Sequence, residues 1–226
     1  MSGALLATIG LAAATALVSG CGAGSTYRTT RIAPPGHTEW LFGAQVSGAG
    51  TVGIDEGGGD GGVAPLPELA VAARRGLDER FEVQVNTTFL PTPVASTGSI
   101  ELAGKMRVAE RGRWSLAVGS GVGYRLTAVG GAHIEDIYAS VPVIGGIELG
   151  RHQLVLSIDG GYHRLYSSGA NPVDIPFIGE SIGFRWQVGR RWAVLPEIGG
   201  AWSPTANFMT EDSRLFHFGI AALWTR

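Results

Sequence analysis

From residue 38 onward the chain alternates apolar and polar side chains at every second position, in one segment after another. In RFEVQVNTTF (80–89), Phe81, Val83, Val85, Thr87 and Phe89 share one face; Glu82, Gln84, Asn86 and Thr88 share the other. A period of two is the pleat of a strand, whereas an amphipathic helix repeats near 3.6. Segments with this period run over 38–48, 66–74, 80–90, 98–109, 113–127, 135–149, 152–166, 176–188, 191–203 and 214–225, which predicts an all-β chain of about ten strands, with eight as the alternative count. Very short connections (74–79, 110–113, 150–152, 189–191) alternate with longer ones rich in Gly, Pro, Ser, Asn and Asp (49–65, 91–97, 128–134, 167–175, 204–213).

The ends of the apolar faces carry aromatic residues. Trp114 and Tyr124 lie ten positions apart on one face, as do Trp192 and Trp202; Phe81 and Phe89 lie eight apart. At ~3.3 Å per residue and a ~40° tilt, ten residues climb roughly 25 Å, about the height of the apolar belt of a membrane barrel. Indole and phenol rings favour the two rims of such a belt. With the even strand count and the alternation of short turns and long loops, this resembles a bacterial outer-membrane β-barrel. The resemblance implies an antiparallel up-and-down transmembrane barrel over 38–226, with outer-membrane lipid as its surroundings.

The opposite faces are polar. By parity they carry Glu68, Arg74, Glu82, Gln84, Glu101, Lys105, Arg107, Arg125, Glu148, Asp159, His163, Arg185, Glu197 and His217. Charged side chains are almost never fully buried unless paired, so a soluble barrel with these residues inside would lack a core. Ten strands enclose little space. The expectation is a lumen largely filled by ion pairs and some water, centred on Glu82, Glu101, Arg107, Arg125 and Arg185. Pro142 and Pro196 fall inside strands, where bulges are expected, and Trp224 stands two residues short of the C-terminal aromatic that outer-membrane barrels usually carry.

Residues 4–19 (ALLATIGLAAATALVS) form an uncharged apolar run, too short for a comfortable spanning helix and shaped like the core of an export signal. It ends in LVSGC. Val18, Ser19 and Gly20 ahead of Cys21, the one cysteine of the chain, resemble the lipobox of a bacterial lipoprotein. That resemblance implies a signal peptide over 1–20, a lipidated Cys21 and, since Gly22 rather than aspartate follows, the outer membrane, with the lipid in the periplasmic leaflet. Residues 22–36 (GAGSTYRTTRIAPPG) read as a flexible tether, so that 21–37 link the lipid to the barrel.

Composition narrows the function classes. The net charge is −2 without a long basic run, which excludes a nucleic-acid surface. One cysteine excludes an internal disulfide framework. Asp55, Glu56 and Asp60 in GIDEGGGDGG match no calcium-loop spacing and read as an external loop. The Asp and His residues near the loops (His133, Glu135, Asp136, Asp174, Glu211, Asp212) do not match the omptin proteases, and HFG at 217–219 lacks the serine of the lipid A deacylases. His37, His133, His152, His163 and His217 are scattered, and no catalytic set, cofactor motif or metal spacing is visible.

WSLAVGSGVGY (114–124) spaces Gly119, Gly121 and Gly123 two apart. G-x-G-x-G is not the G-x-G-x-x-G of a dinucleotide loop, and no helical segment follows it. Read at period two, Trp114, Leu116, Val118, Val122 and Tyr124 face lipid, and the glycines clear lumen space for long side chains such as Arg107 and Arg185. The function implied is a lipid-anchored barrel with a structural or interaction role. It would have no nucleic-acid partner; an extracellular or periplasmic protein partner is left open. A narrow small-solute channel, a rim enzyme and a soluble lipocalin-like binding barrel are the alternatives.

Overall fold

The computed structural model describes residues 27–51, 66–91, 95–129, 132–167, 171–204 and 213–226. Its strands are β1 (Thr38–Thr51), β2 (Leu66–Gly76), β3 (Phe81–Pro91), β4 (Ala95–Arg111), β5 (Trp114–Val129), β6 (Ala132–Leu149), β7 (His152–Ser167), β8 (Val173–Gln187), β9 (Trp192–Trp202) and β10 (Ser213–Thr225). Each pairs antiparallel with the next, and β1 pairs with β10 from Glu39↔Thr225 to Thr51↔Ser213, closing a ten-stranded barrel. Closure leaves no unpaired edge, so the backbone is satisfied without water. Cys21 and the Asp55–Glu56–Asp60 loop lie outside the described residues, as do Glu211 and Asp212.

The outer wall is apolar. Val85, Leu102, Val122, Ile137, Ile158, Ile198 and Ile220 all stand exposed on it, Ile158 at 62%. Large aliphatic residues exposed over the whole circumference, around a polar interior, need hydrocarbon outside and not water. Glu180 breaks this pattern, between Ile178 and Ile182. Trp114 and Trp192 stand outward at the short-turn end with Trp40, Trp186 and Trp224, and Phe81 beside them is half-buried. The Trp192 and Trp224 rings lie 6.4 Å apart. Phe89, Tyr124 and Trp202 stand outward nearer the other end.

Two of the short turns carry glycine at the first of two connecting positions. Gly112 has φ 58° and Gly150 has φ 67°, while Arg113 and Arg151 have no positive φ. That is the requirement of a type II′ turn, whose twist matches that of the strands it joins. The expected long loops at 91–97 and 128–134 are shorter than the sequence suggests. The β5–β6 ladder runs out to Val129↔Ala132 and β4 starts at Ala95, because Gly, Ser and Thr are tolerated at the wet end of a strand.

Neither proline makes a bulge. The β5–β6 register is the same on both sides of Pro142 (Val118↔Val143, Gly121↔Ser140), as is the β8–β9 register around Pro196 (Gly183↔Glu197, Trp186↔Val194). On their other sides the ladders run through both prolines, at Pro142↔Asp159 and Pro196↔Ile220. Proline removes a single donor, so one ladder is interrupted and the other is not. The register shift falls instead in β4, between Arg107 and Ala109.

The larger correction concerns the tether. Residues 27–36 do not trail from the barrel. Tyr27, Thr29, Thr30 and Ala33 are all at most 2% exposed, inside the lumen. The polar composition that reads as a linker is matched by a polar interior.

The row of glycines in β5 also has different occupants from those expected. A Cβ at Gly119 would lie 2.9 Å from the Gly104 carbonyl and 2.9 Å from Pro142 Cγ. At Gly121 it would lie 3.2 Å from Glu101 Oε1, and at Gly123 it would overlap the Tyr138 ring. The glycines make room for Pro142, Glu101 and Tyr138, not for Arg107 or Arg185. Overpacking of this kind costs about 1–3 kcal/mol. Gly119→Ala, which meets rigid backbone, should therefore destabilise more than Gly121→Ala, which meets a movable carboxylate. Gly160, with nothing within 4 Å of its would-be Cβ, should accept leucine. Urea unfolding in lipid vesicles checks the order; equal stability for all three variants would contradict the packing account.

Candidate functional site: a lumen filled from within

The N-terminal segment enters the barrel at the short-turn end and climbs the lumen towards lower residue numbers. Gly36 N donates to Gly76 O at 2.9 Å, and Ala33 N donates to Glu82 Oε2 at 2.8 Å. Arg31 pairs with Glu148. Thr30 N donates to Gln153 Oε1 at 3.3 Å, and the Thr30 and Ser115 hydroxyls share a 2.6 Å hydrogen bond. Lys105 Nζ donates to the carbonyls of Thr29 (2.6 Å) and Arg31 (2.9 Å) while pairing with Glu82 Oε1 at 2.9 Å. Higher up, Arg28 pairs with Asp159, whose other carboxylate oxygen accepts from Ser157 Oγ at 3.2 Å. Tyr27 Oη donates to the Ala44 carbonyl at 2.8 Å, and its ring packs among Leu41, Ala72, Leu195 and Leu223.

The wall is shaped to this segment. A Cβ at Gly43 would lie 2.6 Å from the Tyr27 ring; one at Gly146 would overlap Thr30 Oγ1, and one at Gly76 the Ala33 carbonyl. Backbone closeness of this kind is what glycine in a strand permits. Three separate glycines accommodate three separate residues of one segment.

The five charges expected at the centre of the lumen have different nearest neighbours. Glu82 belongs with Lys105 and Ala33. Glu101 stands beside Gly121 and close enough to Tyr138 to bond its hydroxyl. Arg125 lies 3.8 Å from Asp136, with the Tyr138 ring centroid 5.6 Å from its guanidinium. Arg185 is buried at the short-turn end. Arg107 stands apart from all of these: the register shift after it leaves it at the rim, where it bonds the Glu79 carbonyl (2.9 Å) and Glu110 (3.0 Å). Parity finds inward positions, but not which inward groups meet across the lumen.

Four charges of this interior were missed in the sequence. Glu39 pairs with Arg74 at 2.7 Å. Asp136 holds His163 Nδ1 at 2.9 Å; it was placed at the rim, although Ile137, Val141 and Val143 outward already put Asp136 inward. Arg28 and Arg31 were hidden in a stretch with no periodicity at all. His163 is 2% exposed, with its ring 4.8 Å from that of Phe177 and 5.5 Å from that of Tyr138. The Asp136–His163 pair is thereby closed to a substrate. Among the described residues no three His, Cys, Asp or Glu side chains converge as a metal ion requires.

No protein-family model matches the chain, and no curated protein matches it either. Solved structures do. An outer-membrane channel from Pseudomonas putida F1 superposes with a TM-score of 0.53 at 8% identity, over 87% of this chain and 98% of that one. The β domain of a Bordetella autotransporter gives 0.51 at 11% identity, over 84% and 100%. The outer-membrane protease OmpT from Escherichia coli gives 0.44 at 8% identity, over 89% and 100%. At these identities the likeness is one of fold: the closed antiparallel barrel of bacterial outer-membrane proteins.

Lys105 is the residue on which the segment's lower half depends. Lys105→Met should leave Glu82 as a buried, unpaired carboxylate, costing about 3–5 kcal/mol, and should free the Thr29 and Arg31 carbonyls. Adding Glu82→Gln should recover part of that loss. The measurement is urea unfolding together with trypsin cleavage after Arg28 and Arg31. Protection of both sites in the single variant would mean that Lys105 does not hold the segment.

Proposed function

We propose that this chain is a lipid-anchored barrel of the bacterial outer membrane whose lumen is kept closed by its own N-terminal segment, with a structural or interaction role. The observation that carries this reading is the path of residues 27–36 through the barrel, bonded to β2, β3, β4, β5, β6 and β7. A segment held this firmly along the lumen occupies the path that a solute would take. By analogy with outer-membrane barrels, the short turns and the C-terminal end of β10 face the periplasm and the longer connections face outward. The lipid anchor rests on the residues around Cys21, and the loops at the outward end are the surface left for a partner.

Planar-bilayer recording tests closure. The wild-type barrel should be nearly silent, and Lys105→Met combined with Asp159→Asn, which releases the segment at two heights, should show steady openings. Steady openings of the wild type would instead favour a narrow channel, as the Pseudomonas protein of similar fold is. The anchor is tested separately by labelling cells with radioactive palmitate. Wild type should incorporate label and Cys21→Ser should not, while the Cys21→Ser barrel still inserts and keeps its heat-modifiable migration. Equal labelling of both proteins would remove the lipid from this reading.

A further inference from the structure

The short-turn mouth of the lumen holds a cationic group that its surroundings leave unmatched. Arg185, on β8, is 7% exposed, and its Nε and Nη1 are buried without a hydrogen-bond partner. The two carboxylates that act on it most, Glu39 and Glu148, are already taken by Arg74 and Arg31. Arg31 and Arg74 act on it as like charges. All three guanidinium groups line one open cleft of about 680 Å³, which Arg151 and Arg190 on the neighbouring turns complete. Buried donors are nearly always satisfied, and Arg185 borders the cleft, from which an acceptor outside the chain can approach its guanidinium.

We propose that this cleft binds a phosphate-class oxyanion, with Arg185 as the inner ligand and Arg151 and Arg190 closing on it from the rim. A guanidinium offers two parallel N–H donors that match two oxygens of a phosphate. With Arg31 and Arg74 neutralised by their own acids, Arg151, Arg185 and Arg190 leave a local positive excess suited to a dianion. The volume is in the ~300–1,000 Å³ range of small-molecule sites, more than a bare phosphate fills, so a phosphomonoester of a small solute is accommodated. Deeper in the lumen the balance reverses: Asp159, Glu101 and Glu197 all face Arg28. An anion is therefore held at the mouth and turned back from the interior. The site does not depend on whether the segment keeps the barrel silent to other ions.

The test is titration calorimetry on the folded full-length barrel in a neutral detergent, with inorganic phosphate and glycerol 3-phosphate as probes. Wild type should bind both. Arg185→Gln should weaken binding about tenfold or more, the loss of a charge-assisted contact, while Arg164→Gln, whose side chain pairs with Asp174 on the outer face, should leave it unchanged. Heat-modifiable migration confirms that each variant is folded. If Arg185→Gln does not fold, Arg151→Gln with Arg190→Gln, both on exposed turns, takes its place with the same expected loss. The natural source is read by repeating the titration in nanodiscs. Weaker phosphate binding in phosphatidylglycerol than in phosphatidylcholine points to a lipid headgroup, and equal binding points to a soluble phosphate. No heat of phosphate binding by the wild type, or an affinity unchanged in the folded variants, overturns the proposal.

Discussion

Charge balance across a narrow lumen is the constraint on which the structure depends. Among the described residues the wall points eight acids inward (Glu39, Glu68, Glu82, Glu101, Asp136, Glu148, Asp159, Glu197) and four bases (Arg74, Lys105, Arg125, Arg185). A wall with that surplus, surrounded by hydrocarbon, cannot spread its charge into bulk water, and an unpaired buried charge costs several kcal/mol. The N-terminal segment supplies what the wall lacks, with Arg28 on Asp159 and Arg31 on Glu148. The lumen is therefore not a container into which a peptide happens to fit. Without the segment, two of its acids have lost their counter-charges.

Space imposes the second condition. Ten strands leave room for one chain and the side chains that hold it only if the wall is thinned where they approach. Gly43, Gly76 and Gly146 thin it for the segment; Gly119, Gly121, Gly123, Gly161 and Gly199 thin it for Pro142, Glu101, Tyr138, Phe177 and His217. The high glycine content thus has a geometric cause. Each of these last five is half of a pair whose other half is a bulky or charged group on a neighbouring strand, and the row that looks like a nucleotide motif is the imprint of those groups.

These two conditions explain which features were legible in the sequence. The strands were legible because period two is a local property, and the outward aromatic residues because they share that period; the barrel, its strand number and the inward positions follow. The short turns were legible through Gly112 and Gly150. What escaped was everything that depends on where the lumen ends meet. TYRTTRIAPPG (26–36) has the composition of a linker, and nothing in its own pattern separates a tether in water from a filling in a polar lumen. The difference lies in the wall, in the surplus of inward acids and in glycines opposite no apparent partner. Pro142 and Pro196 mislead for a similar reason: a missing donor suggests a bulge, when each strand has two ladders and loses part of only one.

The order of events in folding follows from the same geometry. Each pair of neighbouring strands from β1 to β10 is joined by a local connection, and such pairings close short loops at little entropic cost. The segment's bonds are of another kind, reaching from Thr30 to Gln153 and from Arg28 to Asp159, 123 and 131 positions along the chain. They exist only when β6 and β7 have come round to face β1, which is also when β1 meets β10. Docking of the segment and closure of the seam are thus one cooperative step: the segment needs the closed wall to bury Tyr27 and Thr29, and the closed wall needs Arg28 and Arg31 to leave Asp159 and Glu148 compensated.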